Sequence, residues 1–163
     1  MEQVVRIGLS KELLAKNSIF EMVIALDLDH FPQPWTINQW EELKDSEDTL
    51  LVAIFENSNS QKALGFALFG LNSYEKLAHL YKVSVHSDWR EKGLSSKILE
   101  KSFKWLSASN MDKVFLEVSV NNAAAIGLYQ KYGFEILSRK KKFYTNSDDA
   151  YAMQKYIDGS LSS

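Results

Sequence analysis

A glycine at position 93 separates a strand-like segment from an amphipathic helix, and this junction limits the folds open to the chain more than any other feature. Residues 76–85 become β-branched and aromatic towards their end, and residues 114–120 form a strongly apolar strand pattern. Between them, five apolar side chains recur on one helical face: Leu94, Ile98, Leu99, Phe103 and Leu106. The sequence therefore predicts a β-α-β crossover in the second half of the chain.

The rest of the chain alternates shorter strands and helices. Ser10 is a good N-cap for a first helix, which two prolines at 32 and 34 end, and Thr36 can cap a second short helix. The remaining strand patterns are 4–9, 49–57, 62–72 and a closing hairpin around the turn 146–148. A further helix begins after the asparagine pair at 121–122 and ends at Gly133. The predicted order is β-α-α-β-β-β-α-β-α-β-β.

This order predicts an α/β (α+β mixed) fold whose mixed, mostly antiparallel sheet has about seven strands, with helices on both faces. A chain of 163 residues fits one compact domain, which we place at 1–157. The last six residues, 158–163, are expected to be a disordered tail.

Composition excludes several classes of function. The chain has no cysteine and only three histidines, so neither a disulfide, a cysteine nucleophile nor a metal site is expected. A net charge of −2 argues against broad phosphate neutralisation on nucleic acid. No apolar run reaches the roughly 18 residues of a membrane-spanning helix, and the N-terminus lacks a signal-peptide pattern. We therefore expect a cytoplasmic monomer or homodimer. The basic run at 139–142 is interpreted as a solvated strand edge.

The segment YKVSVHSDWREKGLSSK carries the sharpest chemical signal. A helix that opens on glycine leaves free N–H groups at its N-terminus, where a phosphate or pyrophosphate can bind. Arg90, Lys92 and Lys97 add positive charge nearby. The segment is neither a Walker loop, which ends in Gly-Lys-Ser/Thr, nor a dinucleotide fingerprint, which needs three glycines. By itself, one glycine before a helix is most often only a turn.

The pattern R-x-x-G-x-S after V-x-V resembles the acyl-CoA loop of the Gcn5-related N-acetyltransferases, Arg/Gln-x-x-Gly-x-Gly/Ala. The resemblance implies that acetyl-CoA is the cosubstrate and that Val83 and Val85 present main-chain groups to its pantetheine arm and thioester. The implied pyrophosphate loop consists of Arg90, Glu91, Lys92, Gly93, Leu94, Ser95 and Ser96. Ser95 stands where the family prefers glycine or alanine, and its small hydroxyl side chain is compatible with a phosphate oxygen.

A second motif, LEVSVNNAAAIGLYQKYGFE (116–135), follows the crossover. Read physically, Tyr129 lies two helical turns after Asn122, and a helix tyrosine is most often a core aromatic. The pattern N-x-x-A-x-x-L-Y-x-K-x-G-F is similar to the second coenzyme-binding element of the same family. That similarity implies that Tyr129 lies beside the coenzyme sulfur and that Asn122 contacts the pantetheine or diphosphate.

Glu117 lies inside the apolar strand FLEVSV, where an unpaired carboxylate would cost several kcal/mol to bury. From the residues alone, an exposed or salt-bridged position is as well supported as a functional one. The chain resembles the ribosomal-protein alanine N-acetyltransferase subgroup closely over residues 76–157. The matched positions are Leu116, Glu117, Val118, Asn122, Ala123, Ala124, Ala125, Ile126, Leu128 and Tyr129. The likeness implies Glu117 as general base and Tyr129 as general acid.

The acceptor side is implied by the same subgroup. Its F-P-W-[ST] motif reads Phe31-Pro32-Gln33-Pro34-Trp35-Thr36 here, and its closing hairpin matches at Tyr144. Phe31, Trp35 and Tyr144 are therefore the expected substrate-binding residues. The leading interpretation is acetylation of a protein N-terminal amine. Acetylation of a small amine or lysine side chain, and a non-catalytic acyl-CoA-binding module, remain open alternatives.

Overall fold

The computed structural model describes residues 3–13, 19–30, 34–44, 46–60 and 62–157. Its strands are β1 Val4–Leu9, β2 Thr49–Phe55, β3 Ala63–Asn72, β4 Leu77–Val85, β5 Lys113–Ser119, β6 Glu135–Lys140 and β7 Ala150–Tyr156. Its helices are α1 Ser10–Leu13, α2 Ile19–His30, α3 Ile37–Leu43, α4 Leu94–Ala108 and α5 Ala123–Lys131. A single 3₁₀ turn, Ser87–Trp89, lies between β4 and α4.

The strands form one seven-stranded sheet in the order β1-β2-β3-β4-β5-β7-β6. Only β4 and β5 are parallel, and every other neighbouring pair is antiparallel. The predicted mixed, mostly antiparallel sheet is confirmed, and α4 is the crossover helix between the two parallel strands. No helix in the described part of the chain is long and apolar enough to cross a membrane.

Two hydrophobic cores cover the two faces of the sheet. Helix α4 packs Ile98 and Leu99 against one face, and both side chains are fully buried. On the other face, α2 and α3 pack against the sheet, and Trp40 meets Phe66 edge-on with 5.8 Å between ring centroids. Helices therefore lie on both faces, as the sequence predicts, and the buried strands β2 and β3 separate the two cores.

The N-terminal half is helical where the sequence predicts helices. One helix is expected after Ser10, and the structure describes α1 and α2 in that span, with residues 14–18 between them outside the described ranges. Thr36 caps α3 as expected, in a capping box with Gln39. The predicted tail, 158–163, and Phe31 also lie outside the described residues.

Strands β4 and β5 pair only over their first halves. The parallel register joins Leu77–Leu80 to Lys113–Leu116, after which both strands continue without partners on each other. A bulge in β4 coincides with the divergence, because Phe69 pairs with Leu80 while the neighbouring Leu68 pairs with Lys82. Tyr81 is thus the extra residue, and such a bulge bends a strand away from its neighbour.

Gly70 on β3 makes room for this bulge. A Cβ atom built at Gly70 would overlap the hydroxyl and ring of Tyr81. Tyr81 can therefore lie flat over β3 only because position 70 has no side chain. The divergence of β4 from β5 opens the sheet at the end where α4 and α5 both begin.

Candidate active site

A cavity of about 750 Å³ fills the opening between the diverging strands. Segments from five parts of the chain line it: Pro34, Trp35 and Gln39; Leu80 to Val83; Leu116 to Ser119; Asn122, Ala125 and Tyr129; and Tyr144 to Asn146 with Asp148. Six of the predicted site residues line the cavity: Val83, Glu117, Asn122, Tyr129, Trp35 and Tyr144. Val85 and the loop 90–96 are not among the lining residues.

Glu117 on β5 faces this cavity with its side chain only 12% exposed. Its Oε1 lies 2.7 Å from Nε2 of His79, and its Oε2 accepts a hydrogen bond from Nζ of Lys140 at 2.9 Å. The carboxylate is therefore nearly buried, paired at both oxygens and adjacent to the cavity. The residues alone left open whether Glu117 is salt-bridged or functional. In the structure it is salt-bridged and also lines the cavity.

His79 and Lys140 contact Glu117, and the sequence analysis identified neither of them as its partner. His79 lies on β4 beside Phe115, with ring centroids 5.2 Å apart, and its side chain is 34% exposed. Lys140, at the end of β6, belongs to the basic run interpreted as a solvated edge. β6 is an edge strand and the Lys140 side chain is 42% exposed, as that interpretation expects, and the same lysine also reaches Glu117 because only β7 lies between β6 and β5. His79 and Tyr81 are two residues apart in the strand pattern of β4, and this spacing was the available signal that His79 shares a face with other functional candidates.

Tyr129 on α5 is fixed in place by the end of its own helix. The N–H of Phe134 donates to the carbonyl of Tyr129 at 3.0 Å, and Gly133, at φ +94°, donates to Gln130 at 3.0 Å. This pair of bonds is a Schellman motif, and the Tyr129 ring also packs on Phe134 at 5.5 Å. Burial, together with the neighbouring Tyr144 hydroxyl, raises the pKa of Tyr129 to about 12. The hydroxyl therefore stays protonated through the physiological pH range.

Asn122 caps α5, as its position in the sequence predicts. Its Oδ1 accepts a hydrogen bond from the N–H of Ala125 at 3.1 Å. The cap fixes where α5 starts relative to the end of β5, and so sets the distance from Glu117 to Tyr129 along the cavity wall.

Gly93 opens α4 in the left-handed conformation, with φ +77° and ψ 12°. The first intrahelical bond runs from the N–H of Lys97 to the carbonyl of Gly93 at 3.0 Å. The preceding amides, those of Leu94, Ser95 and Ser96, consequently point out of the helix end. The space beside Gly93 is open, because a Cβ added there would meet no atom within 4 Å.

The loop before Gly93 is held by the end of β4. The N–H of His86 donates to Leu64 at 2.8 Å, and Nε of Arg90 donates to the Val85 carbonyl at 3.3 Å. Glu91 adopts a positive φ of 61°, and Lys92 lies over the Trp89 ring at 5.2 Å. These contacts fix the conformation of the turn between β4 and α4. The N-terminus of α4, with cationic side chains nearby, suits an anion.

The opposite wall of the cavity is aromatic. Trp35 lies 6.2 Å from Tyr81 and 5.3 Å from Trp40, measured between ring centroids. Tyr144 comes from the loop after β6, and burial, with the negative charges of Glu117 and Asp148, raises its pKa. Trp35 and Tyr144 both line the cavity, and their binding of the acceptor stays a prediction.

A buried ion pair beneath Trp35 was also missed. Nζ of Lys82 donates to Oδ1 of Asp27 at 2.7 Å, and the two side chains are 2% and 0% exposed. Burial lowers the pKa of Lys82, while its hydrogen bond to Asp27 and the charge of that carboxylate oppose the shift. A lone lysine within the apolar stretch LYKVSV was the sequence signal for this pair.

Within the described residues, no cluster of three or more His, Cys, Asp or Glu side chains is arranged to hold a metal ion. The cavity is lined by a paired carboxylate, which His79 contacts, and by a protonated phenol, and the N-terminus of α4 lies outside the lining. This set suits proton transfer from a nucleophile and stabilisation of a leaving anion.

The N-α-acetyltransferase of Saccharolobus solfataricus is 30% identical over 122 residues, which cover 71% of this chain and 73% of that protein. The crystal structure of the ribosomal-protein-S18-alanine N-acetyltransferase from Escherichia coli superposes with a TM-score of 0.83. It is 22% identical, and the match covers 99% of this chain and 97% of that one.

Arabidopsis thaliana NAA60 in complex with acetyl-CoA has a TM-score of 0.79 and is 18% identical, over 97% of this chain and all of that chain. These two structures share the fold of this chain. The sequence model of the acetyltransferase (GNAT) family matches residues 17–134. The chain is a member of the acetyltransferase (GNAT) family.

Proposed function

We propose that this acetyltransferase moves the acetyl group of acetyl-CoA to the N-terminal α-amine of a protein. The observation that carries the proposal is the convergence of Glu117 and Tyr129 on one cavity between the diverging strands β4 and β5. Relatives named as N-α-acetyltransferases support the same acceptor class. The match to the ribosomal-protein alanine enzyme of Escherichia coli, 30% identical over 94 residues, agrees with it.

The residues present fit acetyl-CoA. The outward amides of Leu94 to Ser96 and the open space at Gly93 suit its pyrophosphate. Beyond Leu80, the described part of β4 no longer pairs with β5, so the main-chain groups of Val83 and the N–H of Val85 can meet a pantetheine arm, while the Val85 carbonyl accepts from Arg90. The cavity at Val83 then receives the thioester, and a β4 N–H near Val85 supports the oxyanion.

Glu117 takes the proton that the amine loses. An α-amine has a pKa of about 8, against about 10.4 for lysine, so it reaches the reactive free form with less help. As the amine nitrogen bonds to the acetyl carbon, its proton passes to Glu117, directly or through a water. His79 contacts the same carboxylate at 2.7 Å and is one-third exposed, so it provides a route for that proton to solvent.

Tyr129 stabilises the sulfur as the carbon–sulfur bond breaks. A phenol with a pKa of about 12 is a weaker acid than a thiol, whose ordinary pKa is about 8.5. Complete proton transfer to the thiolate is therefore uphill, and we assign Tyr129 a hydrogen bond to the developing negative charge in place of the general-acid role that the family resemblance implies. No covalent enzyme intermediate is needed, in keeping with a chain that has no cysteine.

The test is release of coenzyme A thiol from acetyl-CoA in the presence of three acceptor sets. These are peptides with free N-termini, the same peptides N-terminally blocked but carrying lysine, and polyamines. We expect turnover with free N-termini and little with the other two sets. Preference for lysine peptides or polyamines would assign the acceptor to a different class, and no turnover with any amine would favour a non-catalytic acyl-CoA-binding module.

A further inference from the structure

We propose that the buried Asp27–Lys82 ion pair is a positioning device that fixes Trp35 as the acceptor-side wall of the cavity. The inference rests on the proposed function, since it assigns these two residues to recognition of the amine acceptor. Neither is Glu117 or Tyr129, and both lie on the face of the sheet opposite α4.

The Asp27 carboxylate joins three separate parts of the chain. Its Oδ1 accepts the 2.7 Å bond from Lys82 on β4. Its Oδ2 accepts the backbone N–H of Trp35 at 2.8 Å and the indole N–H of Trp40 at 3.2 Å. Helix α2, the segment before α3 and the bulged strand are thereby held through one buried group.

The contact to Trp35 is made by its main chain rather than by its ring. Asp27 therefore locates the backbone, and the ring projects into the cavity towards Tyr81. Lys82 contributes from behind, with Nζ 5.4 Å from the centre of the Trp35 ring. Because Lys82 follows the bulged Tyr81, the same bulge that opens the sheet also sets the position of the wall.

Energetics argue that the pair is present for more than stability. Removing two charges from water costs several kcal/mol per ion, and well-packed apolar residues of similar size are often as stable or more so. The surrounding core already contains fully buried apolar side chains such as Phe66 and Leu68. The best-attested role of such a buried pair is to favour one arrangement of the segments that it joins. Here one of those segments carries Trp35.

The experiment compares the wild type with the double variant Asp27→Leu/Lys82→Met, which replaces the pair with apolar groups. We expect a melting temperature several degrees below wild type, because the buried indole N–H of Trp40 loses its acceptor, and a KM for acetyl-CoA within twofold of wild type. The KM for the acceptor should rise about tenfold, with a smaller change in kcat, because the Trp35 N–H loses its charged acceptor.

Asp27→Asn is the second variant, in case the double variant does not fold. It keeps the side-chain volume but loses the charge opposite Lys82, so the acceptor KM should rise in the same direction. Glu47→Gln is the matched control, because it removes a carboxylate from the exposed pair with Lys11 and should leave both KM values unchanged.

An unchanged acceptor KM in a folded Asp27 variant would overturn the proposal, as would an equal rise in both KM values. The measurement uses whichever amine the wild type turns over best. The acceptor panel therefore tests the acceptor class of the wild type. The KM values of the variants test separately whether Asp27 and Lys82 position Trp35.

Discussion

Glu117 combines two properties that strand carboxylates rarely have together, near-complete burial and a place at a cavity wall. Lys140 donates a hydrogen bond to one carboxylate oxygen and His79 contacts the other, so both oxygens are paired. Its partners come from β6 and β4, 23 and 38 residues away in sequence. The carboxylate can therefore be noticed in the sequence, whereas the groups that support it come only from the assembled sheet.

We predict that Glu117→Gln lowers kcat by roughly 10²- to 10⁴-fold while leaving the KM for acetyl-CoA nearly unchanged. The amide keeps the shape of the side chain but cannot accept the proton. The loss should shrink as the pH rises above about 8, where an α-amine is already largely unprotonated and needs no base. The measurement is the pH profile of kcat for wild type and variant.

Tyr129→Phe serves as the counterpart to that variant. Because the pKa of Tyr129 is near 12, its hydroxyl is a donor throughout the pH range from 6 to 10, and its loss should cost the same at every pH in that range. A lost hydrogen bond to a charged group corresponds to about 10- to 150-fold in kcat. A well-folded Glu117→Gln protein with wild-type kcat would remove the glutamate from the mechanism.

At the scale of elements, the junction from β4 to α4 brings together an unpaired strand edge and an uncapped helix start. Gly93 is the residue that makes this possible, since its φ of +77° is strained for any side chain and the space before it is open. The β4 edge and the helix amides then face the same region from two directions.

We predict that acetyl-CoA raises the melting temperature of the wild type and that Gly93→Glu abolishes the rise. At a ligand concentration of 100 times Kd, binding to the folded state adds about 2.7 kcal/mol, or roughly 5–10 °C for a domain of this size. The glutamate would place bulk and negative charge where the pyrophosphate is expected.

Gly93→Ala is the matched control for that shift. It introduces the same left-handed strain with little bulk and no charge, so its starting melting temperature should fall while most of the shift remains. An unchanged shift in Gly93→Glu, read by thermal denaturation with and without acetyl-CoA, would place the coenzyme elsewhere.

At the scale of the whole molecule, the cavity is lined by segments that lie far apart in the sequence, from Pro34 to Asp148. Trp35 precedes α3, and Tyr144 follows the edge strand β6, yet both line one space with Glu117 between β4 and β7. Insertion of β7 between β5 and β6 is what carries the loop with Tyr144 back to the site.

We predict that Trp35→Ala raises the KM for the acceptor about tenfold or more and that Tyr144→Phe raises it severalfold. Acetyl-CoA should be affected less, because the family resemblance assigns both side chains to the acceptor side. Tyr74→Phe, on a side chain that is 98% exposed, is the control and should change neither constant. Steady-state kinetics with each substrate varied would contradict the assignment if only the acetyl-CoA KM moved.

Local patterns in the sequence were sufficient to predict most helices and strands, and to predict the position of residues that lie near the end of one of them. The periodicity of α4, the Asn122 cap and the glycines at 93 and 133 are short-range features, set by backbone conformation and hydrogen bonds within a few residues. They predict where Tyr129 and the helix N-terminus lie because those positions are fixed one or two turns away.

Tertiary structure decided everything that depends on which strands become neighbours. The opening between β4 and β5, the pairing of Glu117 with His79 and Lys140, and the Asp27–Lys82 pair all join residues more than 20 positions apart. A charged residue in an apolar strand signals that a partner is needed, but its own sequence neighbourhood does not say which one. The partner is selected by strand order and by the bulge at Tyr81, since these determine which side chains share a face once the sheet has formed.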